Sequence, residues 1–61
     1  MEVTIRNKDS GDKAIIPRVH KIDVTKEYIV LSQKRIIKDK QEVMKKSFRT
    51  NEHDILNMEM E

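Results

Sequence analysis

The sequence predicts an all-β fold, and three observations favour it. In the first half of the chain most apolar residues are β-branched, and near the N-terminus they alternate with polar residues as in a half-buried strand. Turn-forming residues and Pro17 divide these runs into segments of strand length. The chain has 61 residues, enough to enclose only one hydrophobic core, so residues 1–61 should form a single small domain.

The N-terminal segment is predicted to begin a hairpin. Val3 and Ile5 alternate with polar neighbours, which is the period of a strand. In the polar loop that follows, Gly11 can adopt a positive φ, and the aspartates can accept hydrogen bonds from nearby backbone amides. Asp9 and Asp12 also carry oxygens that could bind calcium, but a calcium loop needs more acidic positions and a distal glutamate. The loop is therefore predicted to be a hairpin turn.

The segment "AIIPRVHKIDVT" is predicted to be one long, bent strand. It is rich in β-branched residues, and Pro17 argues against a helix. Because proline cannot donate to a β-ladder, the strand should lie at an edge or bend at this residue, so that it serves both halves of a small barrel. The alternation of side chains gives two faces: Ile16, His20, Ile22 and Val24 on one, and Ile15 and Val19 on the other.

The next segment, "EYIVLS", is predicted to be the central strand. Four apolar residues in a row, from Tyr28 to Leu31, are typical of a strand that is buried on both faces. The connection through residues 25–27 is short enough for an antiparallel hairpin. Residues 1–32 therefore predict a three-stranded meander.

Residues 33–48 permit two interpretations. Lys40 interrupts the apolar stripe that they would form on a helix, and the cations of Lys34 and Arg35 oppose the positive end of the helix dipole. The other interpretation is two strands joined by the turn "KDKQ", which lacks the glycine that such turns prefer. The apolar stripe of the helical interpretation consists of Ile36, Ile37, Val43, Met44, Ser47 and Phe48.

The C-terminal segment favours strands. "RTNEHD" can form one short helical turn, and "ILNMEM" places three apolar residues on one face of a strand. A strand, one turn of 3₁₀ helix and a final strand close SH3-like barrels. We therefore predict a small SH3-like barrel or a five-stranded antiparallel meander; the alternative is an α+β fold, a three-stranded meander with a basic helix at 33–48. The predicted core consists of Val3, Ile5, Ile16, Ile22, Val24, Ile29, Leu31, Phe48, Leu56 and Met58.

The residue types that are missing exclude several classes of protein. The chain has no cysteine, which removes disulfides, thiolate zinc sites and cysteine nucleophiles and favours a reducing cytoplasm. No stretch approaches the roughly 20 apolar residues of a membrane span, and the N-terminus lacks the apolar block of a signal peptide. We therefore expect a cytoplasmic protein that makes no membrane contact.

No catalytic, cofactor or metal site is predicted. His20 and His53 are too few for a metal site, and Gly11 is too isolated for a phosphate-binding loop. His53 and Asp54 are adjacent, but a catalytic pair must also meet a nucleophile, and nothing around Ser47 marks one. The sequence therefore predicts a protein without enzymatic activity.

Charge is unevenly distributed along the chain. Residues 33–49 contain seven Lys and Arg against Asp39 and Glu42, whereas residues 50–61 contain four acidic residues and no Lys or Arg. Such asymmetry can reflect a binding face, or two segments that neutralise each other in the fold. On the first interpretation the contact residues form what we call the basic segment: Lys34, Arg35, Lys38, Lys40, Lys45, Lys46 and Arg49.

Two stretches carry a resemblance to a known group of proteins. The central "YIVLS" and the closing "SFRTNEHDILNMEM" resemble small β-rich accessory proteins of Gram-positive bacteriophages and prophages. Some proteins of that group bind and redirect host proteins. The resemblance therefore implies a protein-binding role, and it transfers no functional residue.

The sequence thus predicts a protein-interaction module. The partner is either a protein with an acidic surface or a second copy of the chain, reached through the basic segment or through an edge strand. The alternative is a weak, nonspecific nucleic-acid-binding barrel that uses residues 34–49. Aromatic residues make up only 3% of the chain, so Tyr28 and Phe48 alone could stack on bases.

Overall fold

A computed structural model describes residues 1–60, which form six β-strands and no helix. β1 lies between β2 and β6 in one antiparallel sheet, and β4 lies between β3 and β5 in the other. The predicted all-β class is confirmed. The alternative basic helix at 33–48 is wrong, because these residues form two paired strands. The strands are β1 (Glu2–Asn7), β2 (Lys13–Ile16), β3 (Val19–Val24), β4 (Tyr28–Ile37), β5 (Lys40–Arg49) and β6 (His53–Glu59).

The two sheets do not close into a barrel. Within residues 1–60, β5 and β6 follow each other in the chain but belong to different sheets and do not pair. The link between them, residues 50–52, is a hydrogen-bonded turn in which the Glu52 N–H donates to the Arg49 oxygen at 3.1 Å. The sequence predicts one short helical turn here, and the structure has a hydrogen-bonded turn that is not helical.

The segment around Pro17 forms two strands instead of the one bent strand predicted, which is why the described chain has six strands and not five. β2 ends at Ile16 and pairs with β1, whereas β3 begins at Val19 and pairs with β4. Between them Arg18 has a φ of 55°, a left-handed conformation that turns the chain from one sheet to the other. The Val19 N–H then donates to the Met1 oxygen at 2.8 Å, which ties the two sheets together at this point.

A bulge in β3 alters the predicted faces of that segment. Val19 is opposite Gln33 and Lys21 is opposite Ser32, so the register shifts at the residue between them, His20. The extra residue breaks the alternation of side chains. Val19 is therefore buried and His20 exposed, the reverse of the predicted arrangement.

The loop between β1 and β2 is the predicted hairpin turn. Gly11 has a φ of 76°, and its N–H donates to the Asn7 oxygen at 2.9 Å. The Asn7 side-chain oxygen accepts from the backbone N–H groups of Asp9 and Ser10 at 2.9 and 3.0 Å. The Ser10 hydroxyl oxygen accepts from the Asp12 N–H at 3.2 Å, so the side chains that bond this backbone are those of Asn7 and Ser10, and not the aspartates expected from the sequence.

The core lies between the two sheets and is small. Its buried apolar residues come from four strands, and the central strands β1 and β4 each supply two. Because a central strand is covered by neighbours on both edges, its inward side chains are the most completely buried. The core consists of Val3, Ile5, Ile16, Val19, Ile29 and Leu31, with Met1, Ile22, Phe48 and Ile55 packed against it and partly buried.

Three predicted core residues are exposed instead. Val24 is the last residue of the edge strand β3, and Met58 is near the end of the edge strand β6. Leu56 lies at a register shift between β1 and β6, so it has no partner opposite. Each is apolar and has the right spacing, but an edge position or a bulge leaves one side of the residue uncovered.

Candidate interaction surface

The β4–β5 hairpin extends beyond the rest of its sheet. β3 pairs with β4 only as far as Gln33, whereas β4 continues to Ile37 and β5 returns from Lys40. Residues 34–43 therefore form a two-stranded arm. Among residues 1–60, no third strand pairs with either edge of this arm, and only the Lys34 N–H bonds to a neighbouring segment, at Arg18. The arm accounts for part of the elongated shape of the protein, which measures 40 by 21 by 17 Å.

The arm ends in a tight turn that lacks glycine. Ile37 pairs with Lys40, so the loop contains only Lys38 and Asp39, whose φ angles are 49° and 62°. Two central residues with positive φ are the pattern of a type I′ turn, whose twist matches that of the two strands. The predicted turn at "KDKQ" is thus present, and neither of its central residues prefers this conformation as glycine does.

Half of the backbone groups of β5 point away from β4. The pair of Ile37 and Lys40 closes a two-residue loop and is therefore hydrogen-bonded, so hydrogen-bonded and non-hydrogen-bonded pairs alternate from there along the ladder. The Lys34 N–H, which this alternation directs away from β5, donates to the Arg18 oxygen at 3.2 Å on the other side. The Arg49 oxygen likewise points away from β4 and accepts from Glu52.

We call the outward backbone groups of Gln41, Val43, Lys45 and Ser47 the open edge of β5. No backbone hydrogen bond outside the β4–β5 ladder involves residues 40–48 within the part of the chain that the structure describes. These N–H and C=O groups repeat at the spacing of a β-ladder and can pair with another extended chain.

All seven residues of the basic segment are exposed, but they do not share one face. Residues opposite each other in the ladder point to the same side, and successive residues point to opposite sides. The side that carries Leu31, which we call the core side, therefore also carries Arg35, Lys40 and Lys46. The other side, the outer side, carries Lys34, Lys45 and Arg49, and Lys38 lies in the turn.

The outer side includes a cation that the sequence did not indicate. Lys21 of β3 is opposite Ser32 of β4, and Ser32 is opposite Lys45 of β5, so the two lysines flank the same residue. Ser32 is buried between them. Only the register of three strands brings Lys21 to this place, and no spacing along the chain could have shown it.

The acidic C-terminal segment does not neutralise the basic segment in the described residues. Asp54 contacts Arg6 at 3.2 Å and Lys8 at 3.6 Å, and both belong to the other sheet or its turn. Within the basic segment, Arg35 contacts Glu42 at 3.5 Å, and the remaining six cations form no ion pair within residues 1–60. Glu61 lies outside the described residues.

Apolar side chains are exposed beside these cations. Ile36 is 79% exposed and Val43 is 53% exposed, and both lie on the outer side of the arm. Met44 is on the core side, 42% exposed, at a depression of about 180 Å³ whose other lining residues include Gln33 and Lys46. The β4–β5 hairpin thus presents apolar contact area on both of its sides.

The residues considered for catalysis and metal binding lie apart from this surface or from each other. His53 is within 3.0 Å of the Arg49 oxygen through Nδ1, and its ring packs edge-on against Phe48 with centroids 5.2 Å apart. His20 is exposed in the β3 bulge, and Ser47 is exposed on β5. Among residues 1–60 no three His, Asp or Glu side chains are arranged to hold a metal ion.

Comparison with known proteins gives no relative. No protein-family model matches the chain, and no curated protein or solved structure is significantly similar to it. In the described part of the chain, no helix has the length and apolar character needed to cross a membrane.

Proposed function

We propose that the protein is a non-enzymatic protein-interaction module that binds an extended segment of its partner along the open edge of β5. The observation that carries this proposal is the run of outward, unpaired backbone groups from Gln41 to Ser47 on β5, the first part of which belongs to the projecting arm. An added strand gains one main-chain hydrogen bond after another, and pockets and charges beside the edge then select its side chains.

The unpaired cations suggest an acidic partner. Six residues of the basic segment have no ion-pair partner among residues 1–60, so their charges remain available to another molecule. Exposed charges of this kind mainly raise the association rate and orient the partner. The resemblance to phage accessory proteins is consistent with a host protein in the cytoplasm as the partner.

Nucleic-acid binding is the second candidate, and the lysines around Ser32 favour it. Lys21, Lys45 and Lys34 lie on the outer side of one sheet, where they could contact phosphates. The aromatic side chains argue against it, because Phe48 packs against the core and only Tyr28 is available to stack on a base. We therefore rank protein binding first.

A matched pair of proline variants tests the proposal. Val43→Pro removes an outward N–H from the open edge without removing a hydrogen bond to β4. Val24→Pro does the same on β3, at the opposite edge of the sheet. Thr25 and Tyr28 form a hydrogen-bonded pair, because the Thr25 N–H donates to the Tyr28 oxygen. The adjacent pair of Val24 and Ile29 is therefore non-hydrogen-bonded, and the Val24 N–H points away from β4. Both valines are exposed, at 53% and 59%.

The measurement is capture of proteins from lysate by wild type and by both variants, with and without nuclease. We expect Val43→Pro to lose the captured protein and Val24→Pro to keep it, with nuclease having no effect. Capture that disappears on nuclease treatment would support the nucleic-acid candidate instead. Equal capture by the two variants, both still folded by circular dichroism, would contradict the open edge as the contact.

A further inference from the structure

We infer that the open edge of β5 binds the same edge of a second copy of the chain, in antiparallel register with Met44 opposite its own counterpart. This inference rests on the proposed function, since it takes the open edge as the contact and names the strand that occupies it. The two three-stranded sheets containing β4 would join into one continuous sheet across a two-fold axis. A two-fold contact is self-complementary, so each interaction on one side of the axis is repeated on the other.

Geometry limits the registers that are available. Two antiparallel strands related by a two-fold axis through the sheet keep their core sides on the same side, so only residues of the same side can be opposite each other. The register is then fixed by the residue that lies on the axis. Registers centred nearer either end of β5 pair only a few residues, and an axis at Ser47 also places Lys45 opposite Arg49, so the positions from Glu42 to Lys46 are the ones to compare.

Charge decides between the central registers. An axis at Glu42 places two carboxylates opposite each other, and an axis at Lys45 or Lys46 places two ammonium groups opposite each other. An axis at Val43 places Lys40 opposite Lys46. Like charges directly opposite in a sheet are destabilising, so these four registers are disfavoured.

An axis at Met44 gives the opposite result. It places Glu42 of each copy opposite Lys46 of the other, so that two ion pairs flank a central contact between the methionines. It also places Val43 opposite Lys45, whose aliphatic stem can cover the exposed valine. Of the five central registers this is the only one with no like-charge pair, and no other register pairs more β5 residues.

The hydrogen-bonding pattern of β5 agrees with this register. Val43 and Lys45 direct their backbone groups outward, so their pairs are the hydrogen-bonded ones across the axis. Glu42, Met44 and Lys46 direct theirs toward β4 and form non-hydrogen-bonded pairs across the axis, in which side chains approach more closely. The ion pairs and the methionine contact thus fall at the closest positions.

Charge reversal tests the register in solution. Glu42→Lys and Lys46→Glu should each weaken the dimer about tenfold or more, because each creates two like-charge pairs. The double variant Glu42→Lys/Lys46→Glu should restore most of it, because the pairs across the axis return with their signs exchanged, whereas the contact of residue 42 with Arg35 in the same copy becomes repulsive. Lys26→Glu is the matched control for the change of charge, since Lys26 is exposed in the turn between β3 and β4 and is not part of the open edge, and it should leave the dimer nearly unchanged. Sedimentation equilibrium measures each dissociation constant, and circular dichroism confirms that each variant folds.

Single cysteines test the axis itself, and the absence of native cysteine leaves no background. Residues opposite each other in a non-hydrogen-bonded pair have Cα atoms about 4.5 Å apart, within reach of a disulfide. Met44→Cys should therefore form a covalent dimer under mild oxidation. Val43→Cys should not, because the two copies of residue 43 would be displaced by two residues along the ladder, about 7 Å.

Several outcomes would overturn the inference. These are a wild-type protein that is monomeric at about 1 mM, a double reversal that stays monomeric, or efficient crosslinking by Val43→Cys and not by Met44→Cys. The proposed function can survive this failure: a monomer whose captured partner is lost in Val43→Pro but kept in Val24→Pro binds a different strand at the same edge. If capture is also insensitive to Val43→Pro, both proposals fail.

Discussion

The side-chain amide of Gln33 donates a hydrogen bond to the main-chain oxygen of Pro17 at 2.7 Å. Gln33 is 8% exposed within β4, and Pro17 lies where the chain leaves one sheet and enters the other. Gln33→Leu removes the donor and leaves a carbonyl without its partner, so we expect it to lower the free energy of unfolding by about 1 to 3 kcal/mol. Gln41→Leu, at an exposed position of β5, is the control and should change it by less than about 0.5 kcal/mol. Urea denaturation measures both, and equal effects would contradict a structural role for this bond.

Two apolar residues that the sequence places in the core should differ sharply in their contribution to stability. Leu31 is 0% exposed on the central strand β4, whereas Met58 is 56% exposed on the edge strand β6. Leu31→Ala should cost about 2 to 5 kcal/mol, because it removes buried methyl groups and leaves a cavity. Met58→Ala should cost less than about 1 kcal/mol. A similar loss of melting temperature in both variants would show that β6 is more deeply packed than the structure indicates.

Leu31 and Met58 also show how far the fold can be predicted from the sequence. The run around Leu31 indicates a buried central strand because its apolar residues are consecutive, and that signal depends only on local sequence. Met58 has the right period but lies on an edge strand, and which strand ends at an edge depends on pairing between distant segments. Pro17 indicates a bend, but no sequence pattern indicates that Arg18 adopts the left-handed conformation that turns the bend into a change of sheet.

The candidate surface could be predicted only in part for the same reason. The sequence indicated the cations of the basic segment and the presence of an edge strand. It does not show that Lys45 lies on the outer side and Lys46 on the core side, because that assignment depends on residues 40–49 being a strand paired with β4. On the helical interpretation the two lysines would point in other directions. The contact of Asp54 with Arg6 joins residues at opposite ends of the chain, so no local pattern predicts it.

The turn at the tip of the arm should be easy to stabilise. Lys38 and Asp39 both have positive φ, which asparagine and glycine adopt more readily than lysine and aspartate. Lys38→Asn/Asp39→Gly should therefore raise the free energy of unfolding by up to about 1 kcal/mol, if the arm unfolds together with the rest of the domain. Thermal denaturation measures the change, and a lower melting temperature would contradict the positive φ angles.

Gly11 provides the opposite test in the other turn. Its φ is 76°, and a Cβ added there would meet no atom within 4 Å, so any effect of Gly11→Ala comes from the backbone alone. We expect a loss of about 1 kcal/mol, because alanine disfavours the left-handed conformation. Gly11→Asn should lose less, because asparagine tolerates it. If alanine and asparagine destabilise the protein equally, the positive φ is not the cause.

The last prediction separates a binding role for the basic segment from neutralisation within the fold. Lys38 and Lys40 form no ion pair within residues 1–60, so Lys38→Glu/Lys40→Glu should change the free energy of unfolding by no more than about 1 kcal/mol. Neutralisation by the acidic C-terminal segment predicts a clear loss instead, and one that added salt reduces. Asp54→Asn is the comparison, because it removes both ion pairs of Asp54 and leaves Arg6, whose Nε already has no partner, without a carboxylate.

We expect Asp54→Asn to lower the melting temperature more than the double reversal does, and the difference to shrink in about 1 M salt, where the Debye length is about 3 Å. The double reversal should instead slow association with an acidic partner several-fold at low salt, since exposed charges act mainly on the association rate. An unchanged association rate with an unchanged salt dependence would remove Lys38 and Lys40 from the contact. The backbone of the open edge would then account for binding, because it carries no net charge and its hydrogen bonds depend little on salt.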